Sequence, residues 1–476
     1  MKIVLVNPPL GPAVRRGIGP LARALFTNSP PLGLCSLAAV LLEQGEEVVI
    51  LDAALEGWSI ANTAEALRRT HPDLVGLTSL SASASSTWAL ARRVKELLPG
   101  TPLVLGGPHL TANAEEFEFH PEADYVVLGE GETTLAELVA ALSTGLDLEQ
   151  VEGLLFRRGE RVIRTSPRAL LEDLDALPLP ARHLLLMERY LPQPNDQYRL
   201  PKLSLITSRG CPYGCIFCDK AVFGRRYRAQ SPARVLRELE HLVTHYGARD
   251  IAFLDSTFTV DRTRVLALCE ALSARGWDLS WTCTARANAL DEELLSRMKA
   301  AGCWRVRIGI ESGDDRILRR IDKGTTTAQV RRAVNLADKM GLRPKGFFML
   351  GHVGETYASL AKSIAFALEL PLSDVTVQLN TPLKGTPQYP LALRSGTLVT
   401  DSERPPTFFN ATYAPEGMTL RDLDLALRLF YVLFYARPKV WRRQFATLRS
   451  WMDLVKAARG LSILRFFSTS WLRPNS

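Results

Sequence analysis

Two successive series of short apolar strands, each separated by helical segments, constrain the fold of this chain most strongly. In the first series the strand-like runs are rich in β-branched residues, and each ends in Gly, Asp, Asn or Ser. These runs cover residues 2–7, 47–52, 73–79, 102–107 and 124–129, with helical patterns at 33–44, 61–70, 85–98 and 133–143. Such alternation is typical of a parallel, doubly wound sheet. We therefore predict an α/β fold that begins with a domain of this kind.

Small and polar residues occupy the loops that follow these strands. The loops read Asn7-Pro8-Pro9, Thr78-Ser79-Leu80-Ser81, Gly106-Gly107-Pro108-His109 and Gly129-Glu130-Gly131-Glu132. Doubly wound sheets bind ligands outside the carboxyl ends of their strands, and glycine lets a ligand approach the backbone closely. The loops therefore suit a large ligand, although the same composition also occurs in loops that bind nothing.

The second series predicts a barrel or partial barrel. Its six strand-like runs cover residues 203–208, 250–255, 279–284, 305–312, 344–350 and 374–380. Functional residues of such barrels lie at the C-terminal ends of the strands. A mixed linker with a hairpin-like stretch from Leu154 to Ile163 precedes this series, and the last 85 or so residues have a helical pattern.

Three cysteines directly follow the first strand of the second series. Cys211, Cys215 and Cys218 have the spacing C-x3-C-x2-C, which lets three thiolates face one centre. A structural zinc site normally has four protein ligands, whereas a [4Fe–4S] cluster held by three cysteines keeps one iron open for a substrate or cofactor. The spacing favours the cluster over buried structural cysteines or a zinc knuckle.

The cysteine loop and the motifs that follow it resemble the radical S-adenosylmethionine (SAM) superfamily. The similar segments follow in the family's order: Phe253 to Thr259, Trp281 to Arg286, Gly309 to Gly313, Phe348 to Thr356 and Thr381 to Pro387. The N-terminal half resembles the cobalamin-binding domain of one branch of that superfamily, through Pro31-Leu32-Gly33-Leu34 and three of the strand-end loops. The resemblance covers roughly residues 1–390 and points to the cobalamin (B12)-dependent radical SAM enzymes.

This resemblance implies an architecture of four parts. Residues 1–150 would form a Rossmann-like cobalamin-binding domain, 151–197 a linker, and 198–390 a radical SAM domain with a partial (β/α)6 TIM-type barrel. Residues 391–476 would form a helical C-terminal domain with a basic amphipathic tail. The implied cofactors are a [4Fe–4S] cluster on Cys211, Cys215 and Cys218, together with SAM and cobalamin.

The resemblance also implies residues that contact SAM. A carboxylate near the SAM amino group and hydrogen-bond donors near its carboxylate are needed to bind it. The candidates are Phe217, Asp255, Arg286, Glu311 and Ser312. Two positions depart from the family pattern: Asp255-Ser256 replaces Gly-Gly-Glu or an acidic pair, and Val353 replaces the proline of Pro-Gly-Glu-Thr.

The cobalamin half lacks the motif Asp-x-His-x-x-Gly, which supplies the lower imidazole ligand in one cobalamin class. We therefore expect a base-off cobalamin without an evident His ligand, its nucleotide tail running along the strand-end loops. The candidate cobalamin-binding residues are Pro9, Thr78, Ser79, Ser81, Gly106, Gly107, His109, Gly129 and Glu130. For His109 itself, local hydrogen bonding is a better expectation than coordination of a metal.

The other four cysteines lie in apolar contexts. Cys35, Cys269 and Cys303 are expected to be small core residues, and Cys283 lies on a barrel strand from which it could face the cavity. We expect a structural role for all four. The chain has seven cysteines and no secretory signal pattern, so reduced thiols and a cytoplasmic location are expected.

The excess of positive over negative charge in this chain lies at its C-terminal end. Residues 437–476 contain nine Lys or Arg and one Asp, which accounts for the whole net charge of +8. This distribution excludes a nucleic-acid-coating protein, whose charge would extend over a folded face. The apolar residues Trp441, Phe445, Leu448, Met452 and Val455 recur at helical spacing. Such a helix would either pack on the barrel or make peripheral contact with the inner face of an anionic membrane.

The expected function is methyl transfer to an unactivated carbon of a small or lipid-like substrate. The resemblance implies a 5′-deoxyadenosyl radical, methylcobalamin, and an electron donor such as flavodoxin or ferredoxin. A second possibility is a radical cyclisation, rearrangement or oxidation without methyl transfer, and a third is a cobalamin-binding sensor or carrier. The intact cysteine loop disfavours the third. Methylthiotransferases, which need three further N-terminal cysteines, are excluded because only Cys35 precedes Cys211.

Overall fold

The computed structural model describes residues 1–11, 29–192, 196–399, 408–438 and 440. The described chain divides into two compact units. The first unit contains the described residues of 1–191 together with 219–230. The second contains those of 192–218 and those from 231 onward. Both units are built on parallel sheets, which confirms the predicted α/β class.

In the described residues, the first unit has a seven-stranded sheet whose first five strands are parallel. These strands are β1 (Lys2–Asn7), β2 (Glu47–Asp52), β3 (Leu74–Thr78), β4 (Leu103–Gly106) and β5 (Tyr125–Val127). The helices are α1 (Leu32–Glu43), α2 (Ala53–Glu56), α3 (Ile60–Thr70), α4 (Ala84–Leu97), α5 (Pro108–Ala112) and α6 (Gly131–Thr144). The strand order β2-β1-β3-β4-β5 reverses between β1 and β3, as in a doubly wound fold.

Helices cover this sheet on both faces, which explains why β1 is apolar at successive positions. Ile3 and Leu5 pack with Leu34 and Leu138 in one core. Val4 and Val6 pack with Trp88 and its neighbours in a second core on the opposite face. Because successive side chains of a strand point to opposite faces, a strand buried on both faces must be apolar throughout.

A hairpin completes the first sheet. Its strands β6 (Leu154–Arg158) and β7 (Arg161–Arg164) are antiparallel, and β6 pairs with β5, also antiparallel. The hairpin itself is predicted from the sequence, but there it falls in the linker. In the structure the pairing of Tyr125 with Phe156 and of Val127 with Leu154 makes it part of the sheet.

The second unit contains a six-stranded parallel sheet whose strands pair in chain order, which confirms the predicted partial barrel. The strands are β8 (Lys202–Leu205), β9 (Asp250–Phe253), β10 (Ser280–Ala285), β11 (Cys303–Glu311), β12 (Lys345–Leu350) and β13 (Asp374–Leu379). The helices between them are α7 (Pro232–Tyr246), α8 (Arg262–Arg275), α9 (Glu292–Ala300), α10 (Asp315–Arg320), α11 (Thr327–Lys339) and α12 (Tyr357–Glu369). All nine residues of β11 are buried.

The described C-terminal part of this unit is not wholly helical. After α13 (Gln388–Arg394), the strands β14 (Gly396–Leu398) and β15 (Tyr413–Pro415) form a short antiparallel ribbon, and α14 (Leu420–Tyr435) follows. Tyr413 packs with Val353 and Ala392 in a small core below the ribbon. The predicted amphipathic helix from Trp441 onward lies outside the described residues. Among the described helices, none combines the length and apolar character that a membrane crossing requires.

Candidate cofactor sites

The cysteine loop begins after β8 and is anchored by two elements of its own unit. The backbone N–H of Ile216 donates to the carbonyl of Ile321 at 3.1 Å, and the N–H of Gln388 donates to the carbonyl of Ile216 at 3.1 Å. A turn joins Cys215 and Cys218 through a backbone hydrogen bond of 3.4 Å. The loop therefore has a defined backbone path between the end of α10 and the start of α13.

Gly214 of this loop packs closely against the Asp322 side chain. A Cβ atom on Gly214 would lie 1.8 Å from Oδ2 of Asp322, a distance that no real contact allows. Asp322 has a left-handed backbone conformation with φ of 50° and lies two residues after the end of α10. A larger residue at position 214 would therefore require the Asp322 side chain to move away from the loop.

Cys215 of this loop has a positively charged neighbour. In the part of the chain that the structure describes, no three His, Cys, Asp or Glu side chains lie close enough together to bind one metal ion. Cluster cysteines bind separate irons, so their sulfurs need not meet at one point. Nη1 of Arg286 lies 3.6 Å from Sγ of Cys215, so a positive charge lies next to the sulfur that would act as a thiolate ligand.

Asp255 supports the cysteine loop. Its Oδ1 accepts the backbone N–H groups of Thr207 and Ser208 at 2.6 and 2.7 Å, and its Oδ2 accepts the Thr207 hydroxyl at 2.7 Å. Burial raises the pKa of this carboxyl group. Both carboxylate oxygens of Asp255 thus bind the segment between β8 and Cys211. These are the oxygens that were expected to contact SAM, and in the structure they hold the start of the cysteine loop.

Arg286, Glu311 and Lys323 form a charged group at the ends of β10 and β11. The Arg286 guanidinium stacks on the ring of Tyr213 at 3.8 Å and donates to the carbonyl of Lys323. The Lys323 ammonium donates to Oε1 of Glu311 at 2.7 Å. Glu311 has a φ of 66°, which is uncommon for a non-glycine residue and frequent at ligand sites. The structure therefore brings two of the predicted SAM residues close to the cysteine loop.

The other two predicted SAM residues have different surroundings. Phe217 packs against Ile317, Leu318 and Ile321. Ser312 is buried, with its Oγ 3.2 Å from Oγ of Ser363. Ser312 therefore joins the end of β11 to α12, and Phe217 joins the cysteine loop to α10.

His352 is a site residue to which the sequence assigns no role. It is buried at the end of β12, and its ring centroid lies 5.6 Å from that of Phe217. Neither ring nitrogen has a hydrogen-bond partner among the described residues. Burial, together with the nearby Lys323 charge, lowers the pKa of His352 to about 3. Burying a neutral imidazole without hydrogen-bond partners is costly unless a ligand supplies a partner. In the sequence, the position of His352 after a barrel strand was the feature that could have identified it as a site residue.

Glu355 follows His352 and forms the turn into α12. Its Oε2 accepts the backbone N–H groups of Gly351 and His352 at 2.6 and 3.0 Å. The next residue, Thr356, caps α12 through a reciprocal pair of hydrogen bonds with Ser359. The Gly-Glu-Thr element therefore has a structural explanation in the strand-to-helix turn.

Glu355 gives a testable dependence of stability on pH. Burial raises its pKa from the ordinary 4.5 to about 7, so between these values the folded protein binds a proton that the unfolded chain releases. Its stabilising contribution is therefore complete below the lower value and is lost as the pH rises through the upper one. We expect wild-type protein to lose about 2–3 kcal/mol relative to Glu355→Gln between about pH 5 and pH 8. Denaturant unfolding at both pH values measures the free energy of unfolding. The same change of this free energy with pH in wild type and Glu355→Gln would contradict the prediction.

In the first unit, two of the predicted cobalamin loops flank the point between β1 and β3 where the strand order reverses. Thr78 ends β3, and Ser79 and Ser81 follow it, while Pro9 follows the neighbouring strand β1. The Pro9 carbonyl accepts the Ser86 hydroxyl at 2.8 Å, so α4 fixes the loop after β1. Such a switch point is where open α/β sheets bind ligands.

The loop after β4 packs directly on the loop after β3. Gly107 has a φ of 99°, and a Cβ atom there would lie 2.8 Å from the Ser79 carbonyl oxygen. The N–H of Ser79 donates to the Gly106 carbonyl at 2.8 Å. The buried Ser79 hydroxyl has no hydrogen-bond partner among the described residues. This close backbone approach and the unused hydroxyl suit a bound ligand such as cobalamin.

Two other predicted cobalamin residues have protein partners. One ring nitrogen of His109 lies 3.2 Å from Oγ of Ser81, and the other lies 3.1 Å from Oε2 of Glu116. The expected local hydrogen bonds of His109 are thus observed. Glu130 pairs with Arg228 at 2.7 Å and accepts the Leu171 N–H at 2.8 Å, while the neighbouring Gly129 N–H donates to Thr111 at 3.1 Å.

The sequence matches two family models. Residues 205–367 match the radical SAM superfamily, and residues 20–139 match the B12 binding domain. The first match includes the cysteine loop and barrel strands β9 to β12. The second includes the strand-end loops from Thr78 to Glu132.

Several known proteins are similar over most of this chain. An uncharacterized methyltransferase of Pyrococcus horikoshii is 36% identical over 92% of the chain and 94% of its own length. An anaerobic magnesium-protoporphyrin IX monomethyl ester cyclase of Synechocystis is 27% identical, covering 94% and 88%. A hopanoid C-2 methylase of Rhodopseudomonas palustris is 25% identical, covering 81% and 68%.

One solved structure with the same fold is the radical SAM methyltransferase TsrM of Kitasatospora setae, with cobalamin and a [4Fe–4S] cluster bound. Its TM-score is 0.67 at 19% identity, over 88% of this chain and 79% of that one. This likeness concerns the fold, and the family models together with the 36% identical relative establish the kinship. The chain therefore belongs to the cobalamin-dependent radical SAM enzymes, with a B12-binding domain followed by a radical SAM domain.

Proposed function

We propose that this enzyme transfers a methyl group to an unactivated carbon of a small or lipid-like substrate. The observation that carries this proposal is the cysteine loop with Arg286 at Cys215, in a chain that also has a B12-binding domain. The 36% identity to a methyltransferase over nearly the whole chain favours methyl transfer. The hopanoid methylase among the relatives favours a lipid-like substrate.

In this proposal Cys211, Cys215 and Cys218 bind the [4Fe–4S] cluster. When bound, the cluster supplies an electron to SAM, and cobalamin supplies methyl-carrier chemistry. Arg286 lies beside the cysteine loop, where its guanidinium can bind the SAM carboxylate. Glu311, held by Lys323, provides a carboxylate for the amino group, and Phe217 and Ser312 shape the loop and strand end around them.

Asp255 takes a positioning role in the same proposal. Its two oxygens bind Thr207 and Ser208, so it holds the start of the cysteine loop in place. His352 adds an uncharged imidazole beside Phe217 that can both donate and accept a hydrogen bond. Both residues keep the ligand site ordered, and burial keeps water from it.

Cobalamin would bind in the first unit in its base-off form, without a His ligand. Gly106 and Gly107 give its nucleotide tail access to the backbone, and the Ser79 hydroxyl is available to it. Pro9, Thr78, Ser81, Gly129 and Glu130 line the same strand ends. His109 hydrogen-bonds with Ser81 and Glu116, which disfavours it as a cobalt ligand.

A second function is favoured by the cyclase relative, which covers 94% of this chain. In that reaction class a substrate ring is formed without methyl transfer. In either case the electron would come from a small donor such as flavodoxin or ferredoxin. Peripheral contact with the inner face of the membrane through residues 437–476 would suit a lipid-like substrate, although that segment is outside the described residues except for 437, 438 and 440.

Product analysis separates the two functions. The protein is reconstituted anaerobically with iron, sulfide and cobalamin, then incubated with methyl-labelled SAM, a chemical reductant and fractionated small-molecule or lipid extracts. We expect S-adenosylhomocysteine and 5′-deoxyadenosine to form in step, with label appearing in a product. Formation of 5′-deoxyadenosine with a product that contains no label would contradict methyl transfer and favour the cyclase class.

A further inference from the structure

Strands β12 and β13 of the partial barrel have two faces of different character. One face is buried against helices, because Phe348 packs on Phe430 of α14 with ring centroids 5.1 Å apart. The alternate residues of each strand point to the opposite face, which is the interior of the partial barrel. Beyond the first residue of each strand these interior side chains are only half-buried, and they are Phe347, Met349, Thr376 and Gln378. The interior therefore contains side chains that a ligand can reach.

Ion pairs close the bottom of this interior. Nζ of Lys345 lies 3.2 Å from Oδ2 of Asp374, and Nη1 of Arg305 lies 3.4 Å from the same oxygen. Nη2 of Arg307 lies 3.0 Å from Oδ2 of Asp196. The side chains from the strands are each at most 8% exposed. Each of these cations thus has a carboxylate partner and is shielded from solvent. We call this layer of ion pairs the floor.

Contacts show that the floor and the half-buried residues share one face of the sheet. Nζ of Lys345 lies 5.9 Å from the centroid of the Phe347 ring. Nη2 of Arg307 lies 2.9 Å from Oγ1 of Thr282, so Thr284, two residues further along β10, points to the same interior. Thr284 is half-buried as well. We call the half-buried set the interior face, which consists of Thr284, Phe347, Met349, Thr376 and Gln378.

The interior face lies beside the charged group at the strand ends. Gly309 of β11 is paired with Phe347 in the sheet register. A Cβ atom at Gly309 would lie 2.8 Å from both Oε1 of Glu311 and Nζ of Lys323. The missing side chain at position 309 thus leaves room for Glu311 and Lys323 next to the interior face. A molecule on this face would lie close to residues that are proposed to bind SAM, which is the position that a substrate requires.

The interior face is polar but uncharged. Among the residues that the structure describes, Thr284, Thr376 and Gln378 have no side-chain hydrogen-bond partner. The charges of the floor are paired with one another, and Lys323 donates to Glu311 at 2.7 Å. An ionised ligand group would therefore lose its water without gaining a counter-charge. A hydroxyl or carboxamide would instead find free donors and acceptors.

The interior face is also short. The register pairs Phe347 with Thr376 and Met349 with Gln378, so these two strands contribute two layers above the floor. Two residues span about 7 Å along a strand. One ring or a short chain fills that depth, and the floor closes it below. A longer lipid could therefore insert only one of its ends.

We infer that the interior face binds the substrate by an uncharged polar end group, a hydroxyl or a carboxamide. The adjoining apolar carbons of the substrate lie against Phe347 and Met349, while Thr376 and Gln378 bind the polar group. This inference rests on the proposed function, because it names the chemical class of the substrate at the same site. It excludes a carboxylate or a phosphate as the inserted group.

The test is binding of two matched pairs of probes, benzamide with benzoate and octanamide with octanoate. The members of each pair have nearly the same shape and differ in charge. Dissociation constants are measured by saturation-transfer NMR titration of the full-length protein, loaded with the cluster and cobalamin. We expect wild type to bind each amide at least about ten-fold more tightly than its carboxylate, because the interior face offers no counter-charge.

Variants of Gln378 assign the binding to the interior face. Gln378→Leu should weaken binding of both amides about five-fold, because it removes the free amide group and keeps a similar size. Gln378→Lys should reverse the preference toward the carboxylates, because it supplies the counter-charge. The matched control Gln150→Leu changes an exposed glutamine of the first unit and should leave all four dissociation constants unchanged. Circular dichroism and iron content show whether each variant is folded and loaded.

Several results would overturn the inference. Wild type that binds the carboxylates as tightly as the amides, or binds neither amide up to its solubility limit, would contradict it. Unchanged amide binding in a folded and loaded Gln378→Leu protein would place the probes elsewhere. If Gln378→Leu does not fold, Thr376→Val, which replaces a hydroxyl by a methyl group, provides the same comparison.

Probe binding requires no turnover, so its failure is distinguishable from failure of the proposed function. Amide-selective binding without transfer of labelled methyl to any product would support the inference and refute methyl transfer. A labelled product whose only polar groups are carboxylates or phosphates would support methyl transfer and refute the inference.

Discussion

Substitution of Cys215 by alanine is expected to abolish cluster assembly and reduce SAM cleavage to background. Cys215 is buried in the loop, and its sulfur lies 3.6 Å from the Arg286 guanidinium. With only Cys211 and Cys218 left, the loop has too few thiolates for a [4Fe–4S] cluster. Iron and sulfide content per chain after anaerobic reconstitution, together with 5′-deoxyadenosine formation, measures the effect.

The matched control for this substitution is Cys269→Ala. Cys269 is also buried, on helix α8, and burial raises the pKa of its thiol to about 12. Such a thiol is a small core group and not a metal ligand, so the control should retain the cluster and its activity. Equal iron content in the two variants would show that the cysteine loop does not bind the cluster. Far-UV circular dichroism of both variants separates a lost cluster from a lost fold.

The architecture could be predicted because its main signal is local. A strand buried on both faces must be apolar throughout, as β1 is, and helices must separate parallel strands. The hairpin of β6 and β7 was recognisable, but its pairing with β5 was not, because that pairing depends on which sheet edge is free. Residues 250–255 show a similar limit, because the sequence predicts a strand through Asp255 whereas the strand ends at Phe253. Asp255 instead accepts hydrogen bonds from Thr207.

The partners of buried charges were beyond prediction from the sequence. Glu130 and Arg228 are 98 residues apart in the chain, and Asp255 and Thr207 are 48 apart. A glutamate at a strand end has the same sequence signature whether it binds a ligand or an arginine. Only the fold brings the two partners together, so residue type and position predicted a site without specifying what each side chain binds.

The four remaining cysteines illustrate the opposite case. Cys35, Cys269, Cys283 and Cys303 are all at most 3% exposed, as their apolar sequence contexts predict. Burial raises the pKa of Cys35 to about 12. Spacing and local context thus separate these thiols from the three in the loop, because a loop after a strand end differs in sequence from a buried helix or strand.

Replacement of Arg228 by leucine is expected to lower the free energy of unfolding by about 3–5 kcal/mol. Arg228 donates to both carboxylate oxygens of Glu130, at 3.0 and 2.7 Å, and to the carbonyl of Leu171 at 2.7 Å. Both side chains are at most 6% exposed, so the substitution would leave a buried carboxylate without its guanidinium. Denaturant unfolding followed by circular dichroism measures the change.

A neighbouring arginine provides the control for Arg228. Arg226 pairs with Glu172 at 2.5 Å, but both side chains are more than half exposed, so Arg226→Leu should cost less than about 1 kcal/mol. The double variant Glu130→Leu with Arg228→Leu should be more stable than Arg228→Leu alone, because it removes the unpaired carboxylate as well. Glu130 follows the β5 strand end in a predicted cobalamin loop, so Arg228→Leu should also retain less cobalamin after gel filtration. Similar losses of stability in Arg228→Leu and Arg226→Leu would show that the buried pair does not hold this loop.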